Sequence, residues 1–317
     1  MQHSLTNEGA TPHRLAAVRL PARLWLLAIP VVGVLAIGVF LGTTVRHAVT
    51  LVRPPRLAVN AQNIQRQLPD AEQVTFQGFG NVELVGDFVA PRNGAAVILI
   101  HGLYANREQL LPEARLLAER GYGVLIYDNR AHGDSGGSTA TWGQLESEDA
   151  VRAVDFVQQR TGLPAGKIGM LGLSIGGTAA LRETTVDPRI GALVVEATYS
   201  SMGEEVQYMY SAHGALSEWP ARWEAQLLGR LDYSQIEPRD IVCGLSSRPL
   251  LLVYGSEDPD VPIAEAHRMA AAACRPDALL VVNAKSHGRY MDSPDAQMYA
   301  TRLIGFFDSN LVGTPVG

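Results

Sequence analysis

The chain has 317 residues, 47% of them hydrophobic and 18% charged, with a net charge of −6. That composition describes a packed globular core and excludes a disordered chain. Two cysteines, Cys243 and Cys274, exclude a disulfide-dense scaffold or a cysteine-rich zinc cluster, leaving one disulfide or two buried thiols.

Charge is unevenly spread. Residues 1–56 carry six arginines and one glutamate, whereas the remainder carries 20 basic and 31 acidic residues. An acidic main domain argues against nucleic acid as a partner and against clinging to anionic lipid. After a tail over 1–23, residues 24–45 contain no charged side chain. At helical rise that stretch covers about 33 Å, enough for one transmembrane helix. A cleavable signal peptide would have a shorter apolar core, and no clean small-x-small site follows Val45, so the reading is a single-pass membrane anchor. Arg14, Arg19 and Arg23 on one side balance Arg46, Arg53 and Arg56 on the other, which leaves orientation open. An anchor followed by one large domain favours an extracytoplasmic domain. A juxtamembrane linker is expected over 46–72 and one large domain over 73–317.

Val74–Phe79 and Val82–Val89 alternate around Gly80-Asn81 and predict an antiparallel pair. Strands are then predicted at Ala96–Ile100, Gly123–Tyr127, Ile168–Leu173, Ala192–Val195, Leu250–Tyr254 and Leu279–Val282. Helices are predicted between them at Glu108–Arg120, Gln144–Arg160, Thr178–Thr185, Ile263–Ala273 and Asp295–Phe307. Short apolar strands alternating with longer helices predict an α/β fold with a mainly parallel sheet, covered on both faces. The interval of about 200–247 breaks this rhythm and reads as a cap-like insertion. Its Tyr208, Met209, Tyr210, Trp219, Trp223, Leu227 and Leu228 suit either a substrate pocket or the insertion's own small core.

Gly172-Leu173-Ser174-Ile175-Gly176 lies between a predicted strand and a predicted helix. A G-x-S-x-G turn in that setting lifts a serine hydroxyl clear of the backbone, and its glycines relieve contact with strand and helix. A serine nucleophile needs a base, and the base needs an orienting acid. Loops following strands are the places to look. His287 follows the last strand and is the expected base. Asp258 follows Leu250–Tyr254 and is the expected acid, with Asp260 and Glu196 as the other candidates. Backbone N–H groups of Ile175 and Leu103 are the expected oxyanion donors. A second serine, within Gly133-Asp134-Ser135-Gly136-Gly137, spells the nucleophile string of trypsin-like proteases. Those proteins are all-β and place His and Asp before the serine, so Ser135 reads as part of a tight turn. No GxGxxG, P-loop or HExxH string occurs.

VILIHG (97–102), YDNRAHGDSGG (127–137), LGLSIGG (171–177), YGSEDPDVP (254–262) and SHG (286–288) resemble the α/β-hydrolase superfamily over roughly 74–310. Within it the chain looks like the membrane-anchored Bem46-like hydrolases, departing at Ala131, where related loops usually read Arg-Gly. The resemblance implies an eight-stranded sheet, a Ser174–His287–Asp258 triad, and no metal or organic cofactor. The expected function is an esterase-class serine hydrolase acting on a small-molecule acyl ester or lipid-derived substrate. The alternatives are a serine peptidase holding a substrate amine with Glu204, Glu205 or Glu218, and an inactive membrane-tethered binding protein.

Overall fold

The computed structural model describes residues 22–211, 215–232, 237–245, 247–275 and 278–313. The chain divides into two compact units, residues 1–43 and 44–317. The first unit contributes the leading part of helix α1 (Ala22–Val52), with Ile29, Val32, Leu35 and Val39 exposed along it. Residues 28–52 form a helix long and apolar enough to cross a membrane. The helix continues past Val45 to Val52 because Arg46 ends the uncharged run without ending helix propensity. Thr44, Ala48, Leu51 and Val52 are buried, at the four- and three-residue spacing of one helix face. Residues 46–72, expected as a linker, therefore begin with packed helix and also contain α2 (Ala61–Gln67).

In the second unit, β1 (Glu72–Gln77) and β2 (Glu83–Val89) pair antiparallel across the Gly80-Asn81 turn. There follow β3 (Ala96–Ile100), α3 (Leu111–Glu119), β4 (Gly123–Tyr127), α4 (Gln144–Thr161), β5 (Ile168–Leu173), α5 (Ile175–Val186) and β6 (Ile190–Glu196). The insertion folds into α6 (Met202–Ser211), α7 (Ala215–Gly229) and α8 (Pro238–Ile241). β7 (Leu250–Gly255), α9 (Ile263–Ala272), β8 (Leu279–Val282) and α10 (Ala296–Phe307) complete the unit. The eight strands lie in the order β1-β2-β4-β3-β5-β6-β7-β8, antiparallel at β1-β2-β4 and parallel thereafter.

Two-residue periodicity splits the core between the faces of this sheet. Ile98 and Ile100 join Val154, Val157 and Met269 on the α4–α5–α9 side. Val97 and Leu99 join Leu117, Leu303 and Ile64 on the α3–α10–α2 side. The predicted helix over 108–120 begins instead as a 3₁₀ turn, Arg107–Leu110, and becomes α-helical at Leu111. Pro112, which cannot donate, suits the first turn of that helix. A third cluster unites Ala48, Leu51 and Val52 of α1 with Trp142, Ile175, Tyr199 and the insertion's Met202, Val206 and Ala225. Cys243 and Cys274 are joined as a disulfide, their Cα atoms 5.2 Å apart.

Candidate active site

Ser174 sits at the carboxyl end of β5 with φ 57° and ψ −119°, a conformation side chains rarely adopt. The strain is held from both sides. Ser174 N–H donates to Glu196 O (2.8 Å), and Thr198 Oγ1 donates to Ser174 O (2.9 Å). A methyl on Gly172 would come within 2.3 Å of Gly176 O, and one on Gly176 within 2.2 Å of Ile100 O. Only glycine lets strand, turn and helix approach this closely.

His287 Nδ1 lies 2.9 Å from Asp258 Oδ2. Asp258 Oδ1 accepts the N–H groups of Asp260 (2.9 Å) and Val261 (3.1 Å), so the carboxylate is locked in its loop. With Nδ1–H donated to Asp258, His287 presents Nε2 as an acceptor. Of the other acid candidates, Asp260 reaches the same cavity, and Glu196 turns away. The Glu196 carboxyl instead accepts the hydroxyl of Tyr299, beside Glu113. Burial, then the neighbouring Glu113, pushes the Glu196 carboxyl well above its usual range. Potential metal ligands of Asp258, Asp260 and His287 lie within 4.8 Å of one another. His287 Nδ1 is already bonded to Asp258.

Ser174, His287 and Asp260 line one cavity of about 140 Å³ with Leu103, Tyr104, Trp142, Ile175, Glu205 and Met209. Tyr104, Trp142 and Ser174 all have positive φ (57°, 55° and 57°), so backbone strain gathers on this wall. Ile175 opens α5, and its N–H is among those no intrahelical carbonyl uses. The loop carrying Leu103 is pinned group by group. Gly102 N–H donates to Gln109 Oε1 (2.8 Å), and Asn129 Nδ2 donates to His101 O (2.9 Å). His101 Nε2 accepts Asn129 N–H (2.9 Å), so its proton resides on Nδ1, 2.7 Å from Gly102 O. Burial, followed by the nearby His132, lowers its pKa to about 3 and keeps the ring neutral. Because Gly102 C=O and Leu103 N–H belong to one rigid peptide, this bond fixes the direction of the Leu103 N–H.

Sequence reasoning missed His101 as a positioning group, along with Arg107, Trp142 and Tyr104. For His101, Tyr104 and Arg107 the signal was position soon after β3, shared with many loop residues, and Trp142, just before α4, offered none. Ser135 is buried, its hydroxyl donating to Asp128 O (2.6 Å) and accepting Val85 N–H (2.9 Å). Arg56 bonds the carbonyls of His132, Gly133, Ser135 and Gly137, closing that loop from outside. Of the insertion's side chains, Met209 and Glu205 face the cavity, whereas Tyr208, Trp223 and Leu227 are exposed. The side chains of Tyr210, Glu218 and Trp219 lie outside the described residues.

Fold and family together define an α/β-fold serine hydrolase. The chain belongs to the family described as X-Pro dipeptidyl-peptidase (S15 family), whose model matches residues 60–307. It is similar to the uncharacterized protein YqkD of Bacillus subtilis, with 27% identity over 65% of this chain and 69% of that protein. It is also similar to the putative esterase YitV of the same organism, with 27% identity over 61% of this chain and 80% of that protein. Among solved structures, the Pyrococcus furiosus esterase Pf2001 superposes with a TM-score of 0.68 at 24% identity, covering 82% of this chain and all of that one. That likeness is one of fold.

Proposed function

We propose that the protein hydrolyses acyl esters through an acyl-enzyme on Ser174, with His287 as general base, Asp258 as orienting acid and the N–H groups of Leu103 and Ile175 as oxyanion donors. The observation that carries this reading is the shared cavity of Ser174 and His287, with Asp258 on the far side of the imidazole. His287 Nε2 takes the Ser174 proton as Oγ attacks the acyl carbonyl. It returns that proton to the leaving alcohol, and water repeats the cycle to free the acid. Leu103, Tyr104, Trp142, Ile175 and Met209 make most of the cavity's lining apolar, which suits an acyl group. The name of YitV agrees with an ester substrate. A disulfide between Cys243 and Cys274 supports an oxidising, extracytoplasmic location, with residues 24–45 as the membrane anchor of a Bem46-like tethered hydrolase. A fluorophosphonate probe should label the full-length protein and the Ser135→Ala variant and leave Ser174→Ala unlabelled. Equal labelling of Ser174→Ala would remove Ser174 as nucleophile.

A second reading, a peptidase that grips a substrate ammonium, has one observation in its favour besides the family description: the buried Glu205 on the cavity wall. Burial first, then Glu265, Asp260 and Asp258, raises its pKa to about 8. At neutral pH Glu205 is therefore uncharged in the free protein, so it offers no anion to a substrate cation. The sign follows directly. Glu205 is protonated in the folded protein below pH 8 and acquires charge above it, so folding stability from this group falls as pH rises from about 4.5 to about 8. Turnover of a neutral ester is expected to fall above pH 8 and to stay level in Glu205→Gln. An amine-bearing amide that is cleaved faster above pH 8, with the gain abolished in Glu205→Gln, would favour the peptidase reading.

A further inference from the structure

Glu205 is a wall shared by two hollows. It lines the Ser174 cavity, and it also lines a groove between α6 and the start of α9, with Glu204, Gln207, Ala264 and Glu265. The neighbouring carboxyls are already engaged. Glu204 pairs with Arg239 (2.7 Å) and Arg268 (2.6 Å). Glu265 pairs with Arg268 (2.6 Å) and accepts the N–H of Ser200 (2.8 Å). Asp258 holds His287. Glu205 is only 6% exposed, yet its carboxyl makes no hydrogen bond and no ion pair among the described residues. A buried polar group without a partner is destabilising, so one placed in a cavity wall points to a ligand that supplies the bond.

We infer that the alcohol part of the ester extends past Glu205 into this groove, and that Glu205 selects neutral alcohols bearing further hydroxyl groups, a glycerol-like polyol. The inference rests on the proposed acyl-enzyme reaction and names its leaving-group side. Burial, then the neighbouring Glu265, Asp260 and Asp258, keeps the Glu205 carboxyl protonated at neutral pH. A protonated carboxyl offers one O–H donor and one C=O acceptor, the pair that a substrate hydroxyl complements. A cation in the groove would find Glu204 and Glu265 already neutralised by arginine.

The groove lies on the side where the alcohol departs. Its Pro262 and Ala264 come just after Asp258–Val261, the loop whose carboxylate holds His287. Tyr208 of α6 donates its hydroxyl to Pro259 O (3.1 Å), which ties the insertion to that same loop. His287 returns its proton to the leaving alcohol, so the alcohol is the part of the substrate nearest the imidazole. The apolar Leu103, Trp142, Ile175 and Met209 remain for the acyl chain.

The test compares propyl butyrate, glycerol monobutyrate and butyrylcholine as substrates of the full-length protein. All of them form the same butyryl-enzyme on Ser174, so differences in kcat/KM belong to the binding and departure of the alcohol. Wild type is expected to favour glycerol monobutyrate over propyl butyrate by about tenfold, the worth of one well-placed hydrogen bond. That ratio should survive in Glu205→Gln, whose amide keeps a donor and an acceptor, and fall to about twofold or less in Glu205→Leu. Ala264→Trp, an exposed position on the groove, should lower the ratio in the same way by filling the space with an indole. A ratio near one in wild type, or one that Glu205→Leu leaves unchanged, would overturn the inference, while release of butyrate would keep the esterase reading. Butyrylcholine preferred to the glycerol ester, with the preference lost in Glu205→Leu, would make a cation the occupant and likewise overturn it. No turnover of any of these esters would overturn the inference and, with Ser174 unlabelled by a fluorophosphonate, the esterase reading too.

Discussion

Asp258→Asn is expected to lower kcat on a neutral ester by about 10⁴-fold while the protein stays folded. The size of the effect follows from the two ends of one carboxylate. Oδ1 accepts two backbone N–H groups, from Asp260 and Val261, and an asparagine amide would keep its oxygen there. Its NH₂ would then face His287 Nδ1, 2.9 Å away in the native arrangement. A donor in that position forces Nδ1 to accept, which puts the imidazole proton on Nε2. Nε2–H cannot take a proton from Ser174, so the general base is lost without any change in shape. Asp260→Asn is the matched control, because Asp260 lies in the cavity without the imidazole bond, and its activity should stay within about threefold. Steady-state kinetics on both variants decide the matter. A near-native rate in Asp258→Asn together with a collapse in Asp260→Asn would reassign the orienting acid.

The fold and the side chains of the candidate site were legible in the sequence for different reasons. Strands buried on both faces, such as Val97–Ile100 and Met170–Leu173, must be apolar throughout, so they stand out from their flanks. Gly172 and Gly176 occupy positions where an added methyl would collide with backbone, and Asp258 and His287 stand in loops after strands. What escaped was everything fixed by contacts between distant segments. His101 acts through a bond to its own neighbour's carbonyl and through Asn129, twenty-eight positions away. The last turns of α1 looked like linker because the count that ended the membrane run used charge, whereas burial of Ala48, Leu51 and Val52 depends on Trp142 and Tyr199. The insertion's aromatics were weighed between pocket and private core. Tyr208 and Trp223 serve neither, being exposed, since exposure depends on how α6 and α7 pack rather than on composition.

Arg107→Met is expected to destabilise the protein by about 3–5 kcal/mol, a large part of the ~5–15 kcal/mol that holds a typical domain folded. Arg107 is 1% exposed and binds three carboxylates. Nε donates to Asp87 Oδ2 (2.6 Å), and the guanidinium also bonds Asp128 and Asp134, the latter at 3.0 Å. Its own N–H donates to Asp128 Oδ1 (2.7 Å). Asp128 is fully buried and Asp87 nearly so. Methionine fills much of the volume but leaves two buried carboxylates facing each other with no cation. Lysine restores the charge and cannot reproduce the fork, since one ammonium replaces a planar group that reaches Asp87 and Asp128 along separate N–H directions. Arg107→Lys should therefore recover only part of the loss. Position in the chain ties this cluster to chemistry. Arg107 follows the His101–Asn106 loop directly, and Asp128 immediately follows β4, so the ion cluster clamps the loop bearing Leu103 to the turn bearing Asn129, His101's partner. Urea unfolding of Arg107→Met, Arg107→Lys and wild type, followed by near-ultraviolet circular dichroism, measures the difference. A midpoint shift worth less than about 1 kcal/mol for Arg107→Met would show that the carboxylates find other partners, and the clamp would then have to be sought in the backbone bonds alone.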